Sequence, residues 1–490
     1  MGLLNQILRR AVRHPLRTAV IDDRGTTSYL RLALGSMVLA RLIRETTSNP
    51  HVGLLLPTSA ATPMAIFAAW LERRTVIPLN FLLSREELRY VIDHGGIDTI
   101  LTVGPLLDFI GGEEVIPGHV RLIRLDRLRP PRIPPIVLPP RLDPQSIAAI
   151  LYTSGTSGKP KGVMLTHDNL RCNVFGAIRH AGLCTEDVFL GVLPQFHSFG
   201  LTALTLAPLA LGARVIYTAR FIPRKVVELI REHRPGVFIA IPSMYNALLS
   251  LKDIQPADLA SIRMAVSGGE PLPAAVFDEC LQRLNLRLLE GYGLTETSPV
   301  VSWCTPAQFR RGTVGRLLPG VSVKIVDDND RPVPPGHDGE ILIAGPNVMK
   351  GYYKDPAQTD LAFVRIAGRR YFRSGDIGRL DSAGFLSITG RKKEMLIIAG
   401  ENVFPREIEE VINRHPAVRA SAVIGKRDEV RGELPIAFVE LNEGAAADEA
   451  ELRGWCRQNL PAFKSPREIR IVPSLPRSPT GKIVRRLLQA

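Results

Sequence analysis

The residues with the clearest chemical potential lie in one glycine-rich stretch, residues 151–167, which reads LYTSGTSGKPKGVMLTH. It combines hydroxyl side chains, glycines and two lysines, namely Thr153, Ser154, Gly155, Thr156, Ser157, Gly158, Lys159, Lys161 and Gly162. Glycine lets the backbone approach a ligand closely, hydroxyls and backbone amides donate hydrogen bonds, and lysine neutralises negative charge. This composition predicts a loop that binds a polyphosphate.

A Walker A loop is excluded as the origin of this pattern. That motif needs a glycine five residues before its Gly-Lys pair and a hydroxyl residue after it. Here Gly158-Lys159 is preceded at that spacing by Thr153 and followed by Pro160. Taken alone, the stretch is also compatible with a solvated Ser/Gly/Lys turn, so the other motifs of the chain must decide.

A second candidate region is the turn at residues 267–271, SGGEP, which ends the apolar run RMAVSGG. Open α/β sheets bind ligands at the carboxyl ends of their strands. Gly269, Glu270 and Pro271 therefore fall where a flat ring would be bound, although the motif alone is weak.

A third candidate region, residues 290–297, reads EGYGLTET. It is not a dinucleotide fingerprint, because Glu296 stands where the third glycine belongs. Thr295 instead offers a hydroxyl to a phosphate, and the Glu296 carboxylate suits a hard cation such as Mg²⁺.

The remaining candidates lie in the last quarter of the chain. Asp376 in YFRSGD could hold two ribose hydroxyls with help from Arg391, whereas an isolated aspartate in such a tripeptide is more often a turn residue. Lys482 follows a flexible Ser-Pro-Thr-Gly arm and could reach into a site on a larger domain, and the alternative is a frayed basic tail.

The elements that must position these residues alternate between strand and helix. Short apolar runs such as AVID, HVGLLLP and TVIPLN alternate with helix-like segments, including Leu30–Thr46 and Arg85–His94, and the alternation resumes at VFLGVLP, ARVIYTA and GVFIAIP. This spacing predicts a wound α/β sheet. Prolines crowd residues 130–144, which predicts an extended connector just before the glycine loop.

The pattern changes towards the carboxyl end. From about residue 312 to residue 390 the runs shorten to strand and turn, as in GVSVKIVDD and GFLSITG, which predicts a β-rich subdomain. The last hundred residues interleave strands with helices at Pro405–Asn413 and Glu449–Asn459, which predicts a separate α+β domain.

Composition sets broad limits on function. With 490 residues and 45% hydrophobic content, the chain is long enough for several domains with large cores. Its net charge of +14 is dispersed, so it suits anionic substrates as well as a nucleic-acid or anionic-membrane partner. The five cysteines form no metal or disulfide pattern and indicate reduced thiols in the cytoplasm.

Two uncharged stretches, Val52–Trp70 and Phe189–Ala213, are long enough to cross a bilayer. Their internal prolines and polar residues instead favour a buried strand, a loop and a buried helix in each case. The amino-terminal stretch MGLLNQILRRAVRHPLRTAV sets leucine and isoleucine residues beside four arginines and could form a helix that touches a membrane, although a plain surface helix is favoured.

Seven motifs occur together in the order and spacing of the adenylate-forming enzyme superfamily, which includes acyl-CoA synthetases. They are YTSGTSGKPKG, PQFHSFG, SGGEPL, EGYGLTET, YFRSGD, GRKKEMLIIAGENVFP and LPRSPTGKI, and the resemblance extends from about Ala19 to Leu488. It implies a large α/β amino-terminal domain with a β-barrel-like subdomain, residues 1–390, and a small mobile carboxyl-terminal α+β domain, residues 391–490.

The resemblance also implies roles for particular residues. The residues that would bind ATP are Thr153, Ser154, Gly155, Thr156, Ser157, Gly158, Lys161, Gly269, Glu270, Pro271, Tyr292, Gly293, Thr295, Asp376, Arg391 and Lys482. Glu296 would bind Mg²⁺, and Thr295, Glu296, Lys482 and His197 would form the catalytic set. Lys482 would bridge the attacking carboxylate and the α-phosphate, while His197 would stand at the entrance of the acyl site.

The second half-reaction would use a different position of the carboxyl-terminal domain. Lys393 matches the hinge, and Gly400 and Asn402 match the strand and loop that would approach the thiol, for which coenzyme A is expected. The cofactors implied are thus ATP, Mg²⁺ and coenzyme A.

The uncharged segment around His197 favours a medium- or long-chain fatty acid as the acid, with an aromatic acid as the alternative. An acyl carrier protein is an alternative thiol partner, because it would also meet a basic surface favourably. We expect no nucleic-acid partner and at most peripheral membrane contact. The competing hypothesis is a basic binding protein with a vestigial nucleotide site.

Overall fold

The structure is a computed structural model that describes residues 2–129, 131, 133–153, 159–398, 401–428, 432–477 and 483–489. Its helices are α1 (Leu3–Arg13), α2 (Tyr29–Thr46), α3 (Ala61–Leu71), α4 (Arg85–Gly95), α5 (Gly104–Ile110), α6 (His167–Ala181), α7 (Ser198–Leu201), α8 (Ala207–Leu211), α9 (Pro223–His233), α10 (Pro242–Leu249), α11 (Ala274–Leu284), α12 (Pro356–Leu361), α13 (Pro405–Ile412) and α14 (Glu449–Asn459).

The strands begin and end close to the predicted apolar runs. They are β1 (Thr18–Asp22), β2 (Gly25–Ser28), β3 (His51–Leu55), β4 (Thr75–Pro78), β5 (Thr99–Thr102), β6 (Arg121–Arg124), β7 (Ile147–Thr153), β8 (Lys161–Thr166), β9 (Val188–Gly191), β10 (Arg214–Tyr217), β11 (Val237–Ala240), β12 (Met264–Ser267), β13 (Leu288–Gly293), β14 (Val300–Trp303), β15 (Arg316–Leu317), β16 (Ser322–Val326), β17 (Gly339–Ala344), β18 (Gly351–Tyr352), β19 (Phe363–Ile366), β20 (Arg369–Leu380), β21 (Leu386–Arg391), β22 (Leu396–Ile398), β23 (Glu401–Val403), β24 (Val418–Asp428), β25 (Gly432–Leu441) and β26 (Glu468–Ile471).

Two largely parallel sheets form the body of the large amino-terminal domain. One has the strand order β15-β14-β13-β12-β11-β9-β10-β1-β2, and the other has the order β18-β8-β7-β4-β3-β5-β6. Every residue of β4, β11 and β12 is buried, as expected for parallel strands that are covered on both faces. The predicted α/β class is confirmed.

Both uncharged stretches fold as predicted into buried strand, loop and helix. The first contains β3 and α3, and the Trp70 indole in α3 donates a 3.0 Å hydrogen bond to the Ala148 carbonyl. The second contains β9, α7 and α8. In the described part of the chain, no helix combines the length and the apolarity needed to span a bilayer.

Helix α1 packs its apolar face onto the protein. Leu3, Leu4 and Ile7 are buried in the main core, whereas Val12 on the opposite face is exposed. The face that would have inserted into a membrane is therefore covered by the protein itself.

The β-rich subdomain and the carboxyl-terminal domain each have their own sheet. In the subdomain β16, β17, β20 and β19 lie side by side, and β21 pairs with β20. In the carboxyl-terminal domain β23, β22, β25 and β24 are neighbours, β26 pairs with β25, and α13 and α14 pack on one face. A large domain and a smaller one are thus present, as predicted.

Candidate active site

The glycine-rich loop joins two antiparallel strands. Thr153 at the end of β7 pairs directly with Lys161 at the start of β8, and residues 154–158 between them lie outside the described residues. The Lys161 ammonium donates a 2.7 Å hydrogen bond to Oε1 of Gln358 and lies 5.4 Å from the centre of the Tyr352 ring. The lysine predicted to bind phosphate is therefore held at a defined position beside the loop.

The second and third candidate regions lie side by side. β12 and β13 are parallel neighbours, and Ser267 pairs with Glu290, so both motifs leave the sheet at its carboxyl edge. Gly269 has a φ of +81°, a conformation that favours glycine. Glu270 and Pro271 follow in the same turn, as the sequence predicts.

Thr295 and Glu296 lie in a tight 3₁₀ turn, Thr295–Thr297, directly after β13. A Cβ atom at Gly293 would overlap the carbonyl oxygen of Pro299, so only glycine fits where the strand meets the turn. A buried asparagine stabilises the far side of the turn: Asn347 Nδ2 donates to the Thr297 carbonyl at 3.0 Å. The turn is thus held rigidly from both ends.

The Glu296 carboxylate accepts a 3.0 Å hydrogen bond from the Tyr352 hydroxyl, and its backbone carbonyl accepts one of 2.8 Å from the Met349 amide. Desolvation by burial raises the pKa of this carboxyl, and the Tyr352 hydrogen bond opposes that shift. Within the described ranges, no three His, Cys, Asp or Glu side chains group as metal ligands. A lone carboxylate fits Mg²⁺, which commonly binds one protein carboxylate together with substrate phosphates.

The predicted ribose residues form one connected cluster. Asp376 is 3% exposed, and its carboxylate accepts a 2.7 Å hydrogen bond from the Tyr292 hydroxyl and an ion pair of 3.1 Å from Arg391 Nε. Burial raises the pKa of Asp376, and the Arg391 charge opposes that shift. Asp376 lies inside the long strand β20, opposite Arg391 of β21, so the turn alternative for this aspartate is wrong.

The predicted acyl segment lies against the turn Thr295–Thr297, which we call the candidate catalytic turn. The Ser198 and Thr295 hydroxyls are 3.3 Å apart, within hydrogen-bond distance. The Phe199 ring lies 3.1 Å from where a Cβ of Gly268 would stand, beside the second candidate region. His197 is half-buried and caps the amino-terminal end of α7, where its Nδ1 accepts a 3.3 Å hydrogen bond from the Phe199 amide.

The carboxyl-terminal candidates are described only in part. Lys393 lies in a 3₁₀ turn, Lys392–Glu394, between β21 and β22, and burial lowers its pKa. The backbone of Asn402 in β23 pairs with Ile397. Gly400 and Lys482 lie outside the described residues, so their predicted roles are not tested.

The described residues on either side of positions 478–482 have defined partners. Arg477, before these positions, and Ile483, after them, form an antiparallel bridge. Arg485 then forms a bidentate ion pair with Glu409 of α13, with contacts of 2.8 and 2.9 Å, and a further contact of 3.0 Å with Glu394. The alternative of a frayed basic tail is therefore wrong for residues 483–489.

Three residues of this site were missed by the sequence reasoning: Tyr352, Gln358 and Ser198. Tyr352 and Gln358 belong to the stretch GYYKDPAQ, whose only signal was a pair of aromatic residues beside a lysine. Ser198 was quoted within PQFHSFG but was given no role.

Two family models match this chain. The model described as AMP-binding enzyme matches residues 7–353, and the model described as AMP-binding enzyme C-terminal domain matches residues 407–482. The chain belongs to the AMP-binding enzyme family. The predicted membership of the adenylate-forming superfamily is thus confirmed.

Relatives of this AMP-binding enzyme act on different acids. A feruloyl-CoA synthase of Amycolatopsis is 32% identical over 99% of this chain and 98% of its own length. A long-chain-fatty-acid–CoA ligase of Escherichia coli is 32% identical over 100% and 94% of the two chains. An indoleacetate–CoA ligase of Aromatoleum aromaticum is 31% identical over 99% and 96%.

Solved structures of the family share the fold throughout. The ATP-bound form of MatB from Rhodopseudomonas palustris superposes with a TM-score of 0.89 at 29% identity, covering 99% of this chain and 98% of that one. The apo form of the same protein gives 0.79 over the same coverage, at 28% identity. This AMP-binding enzyme thus superposes better on the ATP-bound form than on the apo form.

These comparisons establish the reaction class. The AMP-binding enzyme is an AMP-forming acid–thiol ligase, an ATP-dependent acyl-CoA synthetase whose cofactors are ATP, Mg²⁺ and coenzyme A. Besides ATP and coenzyme A, its substrate is a small-molecule carboxylic acid.

Proposed function

We propose that this enzyme activates a medium- or long-chain fatty acid and transfers it to coenzyme A. The observation that carries the proposal is the position of the uncharged segment from Phe189 to Ala213. It contacts the candidate catalytic turn through Ser198 and Thr295, and its helical part, α7 and α8, is buried among apolar residues. An apolar acid is the substrate that such surroundings favour.

An amino acid is disfavoured on the same grounds. Its ammonium group would need a carboxylate or another negative partner when desolvated. The acyl segment contains neither Asp nor Glu, and its only ionisable side chain is His197. A hydrocarbon chain needs no such partner.

The chemistry proceeds in two balanced steps. In the first, a carboxylate oxygen of the acid forms a bond to the α-phosphorus of ATP, and the bond to pyrophosphate breaks. In the second, the thiol sulfur of coenzyme A forms a bond to the acyl carbon, the thiol proton is lost, and AMP leaves. Negative charge moves at one phosphate in both steps, where fixed donors and cations stabilise it.

Site roles follow from this reaction and from the contacts. Lys161 and the glycine-rich loop would bind the β- and γ-phosphates, Thr295 the α-phosphate, and Asp376 the ribose. The Glu296 carboxylate would hold Mg²⁺, which neutralises phosphate charge when bound. Lys482 would supply the cation at the reacting oxygens, with Lys393 as the hinge between residues 1–390 and residues 391–490.

An aromatic acid is the second candidate substrate. The specific observation in its favour is that two relatives of 31–32% identity are named for ferulate and indoleacetate. Phe199, within the same segment, offers a ring beside Gly268 on which an aromatic acid could stack.

The thiol partner and the location complete the proposal. We place coenzyme A ahead of an acyl carrier protein as the acceptor, and the cytoplasm ahead of the membrane surface as the compartment. All five cysteines are unpaired, which suits a reducing compartment.

The test is pyrophosphate release with octanoate, palmitate, ferulate, indoleacetate and benzoate, each with and without coenzyme A. We expect continuous turnover with a fatty acid when coenzyme A is present, and none in Lys482→Ala. Preferred turnover of ferulate or indoleacetate would overturn the choice of acid. Release that stops after one equivalent despite coenzyme A would instead indicate a carrier protein as acceptor.

A further inference from the structure

Tyr352 contacts two groups that are predicted to act on ATP, although it belongs to none of the motifs that predict the site. Its hydroxyl donates a 3.0 Å hydrogen bond to the Glu296 carboxylate. The face of its ring lies 5.4 Å from the Lys161 ammonium, a distance at which a cation is attracted to an aromatic ring. One side chain therefore contacts both the candidate Mg²⁺ ligand and the candidate phosphate ligand.

The backbone around Tyr352 is fixed independently of these contacts. β18 pairs with β8, with Tyr352 opposite Val163, and the next amide, that of Tyr353, donates a 2.7 Å hydrogen bond to the Gly162 carbonyl. The Tyr352 amide donates to Thr359 Oγ1 at 2.9 Å. Tyr352 therefore lies on a strand that pairs with β8, the strand that follows the glycine-rich loop, and protein hydrogen bonds fix its backbone.

The same segment also holds Glu296 by its backbone, through the 2.8 Å hydrogen bond from the Met349 amide. Backbone and side chain of Glu296 are thus both bound by residues 349–352. A ligating carboxylate that is held by a neighbouring donor keeps its orientation when the metal binds, and the loss of such a donor commonly weakens metal binding about 10- to 100-fold.

We propose that Tyr352 is a positioning residue for the Mg²⁺ site: it orients the Glu296 carboxylate with its hydroxyl while its ring holds Lys161 beside the glycine-rich loop. The proposal rests on ATP-dependent ligase activity and not on the choice of acid. It can therefore be tested with ATP alone, in the absence of acid and coenzyme A.

The experiment is calorimetric titration of the full-length enzyme with ATP, once with MgCl₂ and once with EDTA. For Tyr352→Phe, which keeps the ring, we expect ATP affinity with Mg²⁺ to fall about 10- to 100-fold while affinity in EDTA changes less than about twofold. Tyr352→Leu removes the ring as well, so affinity in EDTA should fall a further 2- to 5-fold, roughly. Equal losses with Mg²⁺ and with EDTA in Tyr352→Phe would overturn the proposal.

The matched control is Tyr353→Phe. The Tyr353 ring contacts His51 and His94, at 5.3 and 5.7 Å between ring centres, on a different side of the segment. We expect this variant to bind ATP as the unmodified enzyme does in both titrations. A loss of Mg²⁺-dependent affinity equal to that of Tyr352→Phe would show that the effect is not specific to the Glu296 contact.

A second measurement separates positioning from general damage to the fold. In a Glu296→Gln background, Tyr352→Phe should weaken Mg²⁺-dependent ATP binding by less than about twofold, because its effect passes through the carboxylate that has been removed. A full additional loss in the double variant would overturn the proposal. Thermal unfolding without ligand of the unmodified enzyme, of Tyr352→Phe, of Glu296→Gln and of the double variant identifies any protein that is unfolded.

Discussion

The Tyr292 hydroxyl donates a 2.7 Å hydrogen bond to the Asp376 carboxylate, 84 residues further along the chain. This bond connects β13 of the amino-terminal sheet to β20 of the β-rich subdomain. Arg391 contacts the second oxygen of the same carboxylate at 3.1 Å. A buried carboxylate that is held from two sides is well placed to accept hydrogen bonds from two ribose hydroxyls.

Asp376→Asn tests this assignment. The asparagine side chain keeps one acceptor oxygen and replaces the other with a donor NH₂ group. We therefore expect the KM for ATP to rise about 10- to 100-fold with a smaller change in kcat. Asp381→Asn in the same subdomain, which breaks only an ion pair with Arg310, serves as the control. Steady-state kinetics with varied ATP measures both. An unchanged KM in Asp376→Asn would remove this residue from the ribose site.

Lys161→Ala tests the phosphate lysine. Removing a cation that stabilises transferred charge costs about 10² to 10³ in rate. Lys159→Ala is the matched control, because Lys159 is exposed and its ammonium lies 5.6 Å from the centre of the Tyr90 ring. We expect single-turnover formation of acyl-AMP to fall in the first variant only. Equal losses in both would mean that general positive charge, and not this position, matters.

Gly293→Ala tests the shape of the candidate catalytic turn. The added Cβ would overlap the Pro299 carbonyl, so the turn must shift, at a cost of about 1–3 kcal/mol in unfolding free energy. We expect loss of acyl-AMP formation and a lower unfolding midpoint. Gly118→Ala, where a Cβ meets nothing within 4 Å, should leave both unchanged. Full activity in Gly293→Ala would contradict the packing described here.

Lys393→Pro tests the hinge. Restricting the backbone at the turn between β21 and β22 should slow thioester formation more than acyl-AMP formation, because only the second step needs a new domain position. Lys393→Ala, which keeps backbone freedom, should retain both steps. If single-turnover assays show that both half-reactions fall equally in Lys393→Pro, the hinge lies elsewhere.

Glu290 gives a prediction about pH. Burial raises its pKa from 4.5 to about 7, against the opposing effect of Arg406 in α13. Between these values the folded chain holds a proton that the unfolded chain releases, so the free energy of unfolding falls as pH rises through this range. Glu290→Gln, which stays neutral, should be more stable than the native sequence by about 1–3 kcal/mol at pH 8, and the difference should vanish below about pH 5.

Urea unfolding at the two pH values measures this difference. Glu45→Gln is the control, because Glu45 forms only an exposed ion pair with Arg41, and exposed pairs contribute little. A pH-independent difference between Glu290→Gln and the native sequence would show that folding does not raise the pKa of Glu290.

The fold was largely predictable from local pattern, because parallel strands that are buried on both faces appear in the sequence as short continuous apolar runs. RMAVSGG and GVFIAIP became the neighbouring strands β12 and β11 for this reason. Glu270 lies in the turn directly after β12, where the end of the apolar run predicts it.

Contacts between distant segments could not be predicted in the same way. Tyr352 reaches Glu296 across 56 residues, and Lys161 reaches Gln358 across 197. Neither contact leaves a periodic pattern in the sequence. Both contacts depend on the pairing of β18 with β8, which joins segments far apart in the chain. Asp376 shows the same limit, because only the pairing of β20 with β21 shows that SGD lies in a strand and not in a turn.

The pairing of β1 with β10, Val20 with Val215, affects how the chain is made. At ribosomal speeds of about 5–20 residues per second, roughly 10–40 s pass between synthesis of the first strand and synthesis of its partner. During that time β1 has only its hairpin partner β2 beside it, so Ala19 and Val20, both fully buried in the finished protein, lack the rest of the sheet. Chaperones that bind nascent apolar segments should therefore associate with this amino-terminal strand until translation has passed β10.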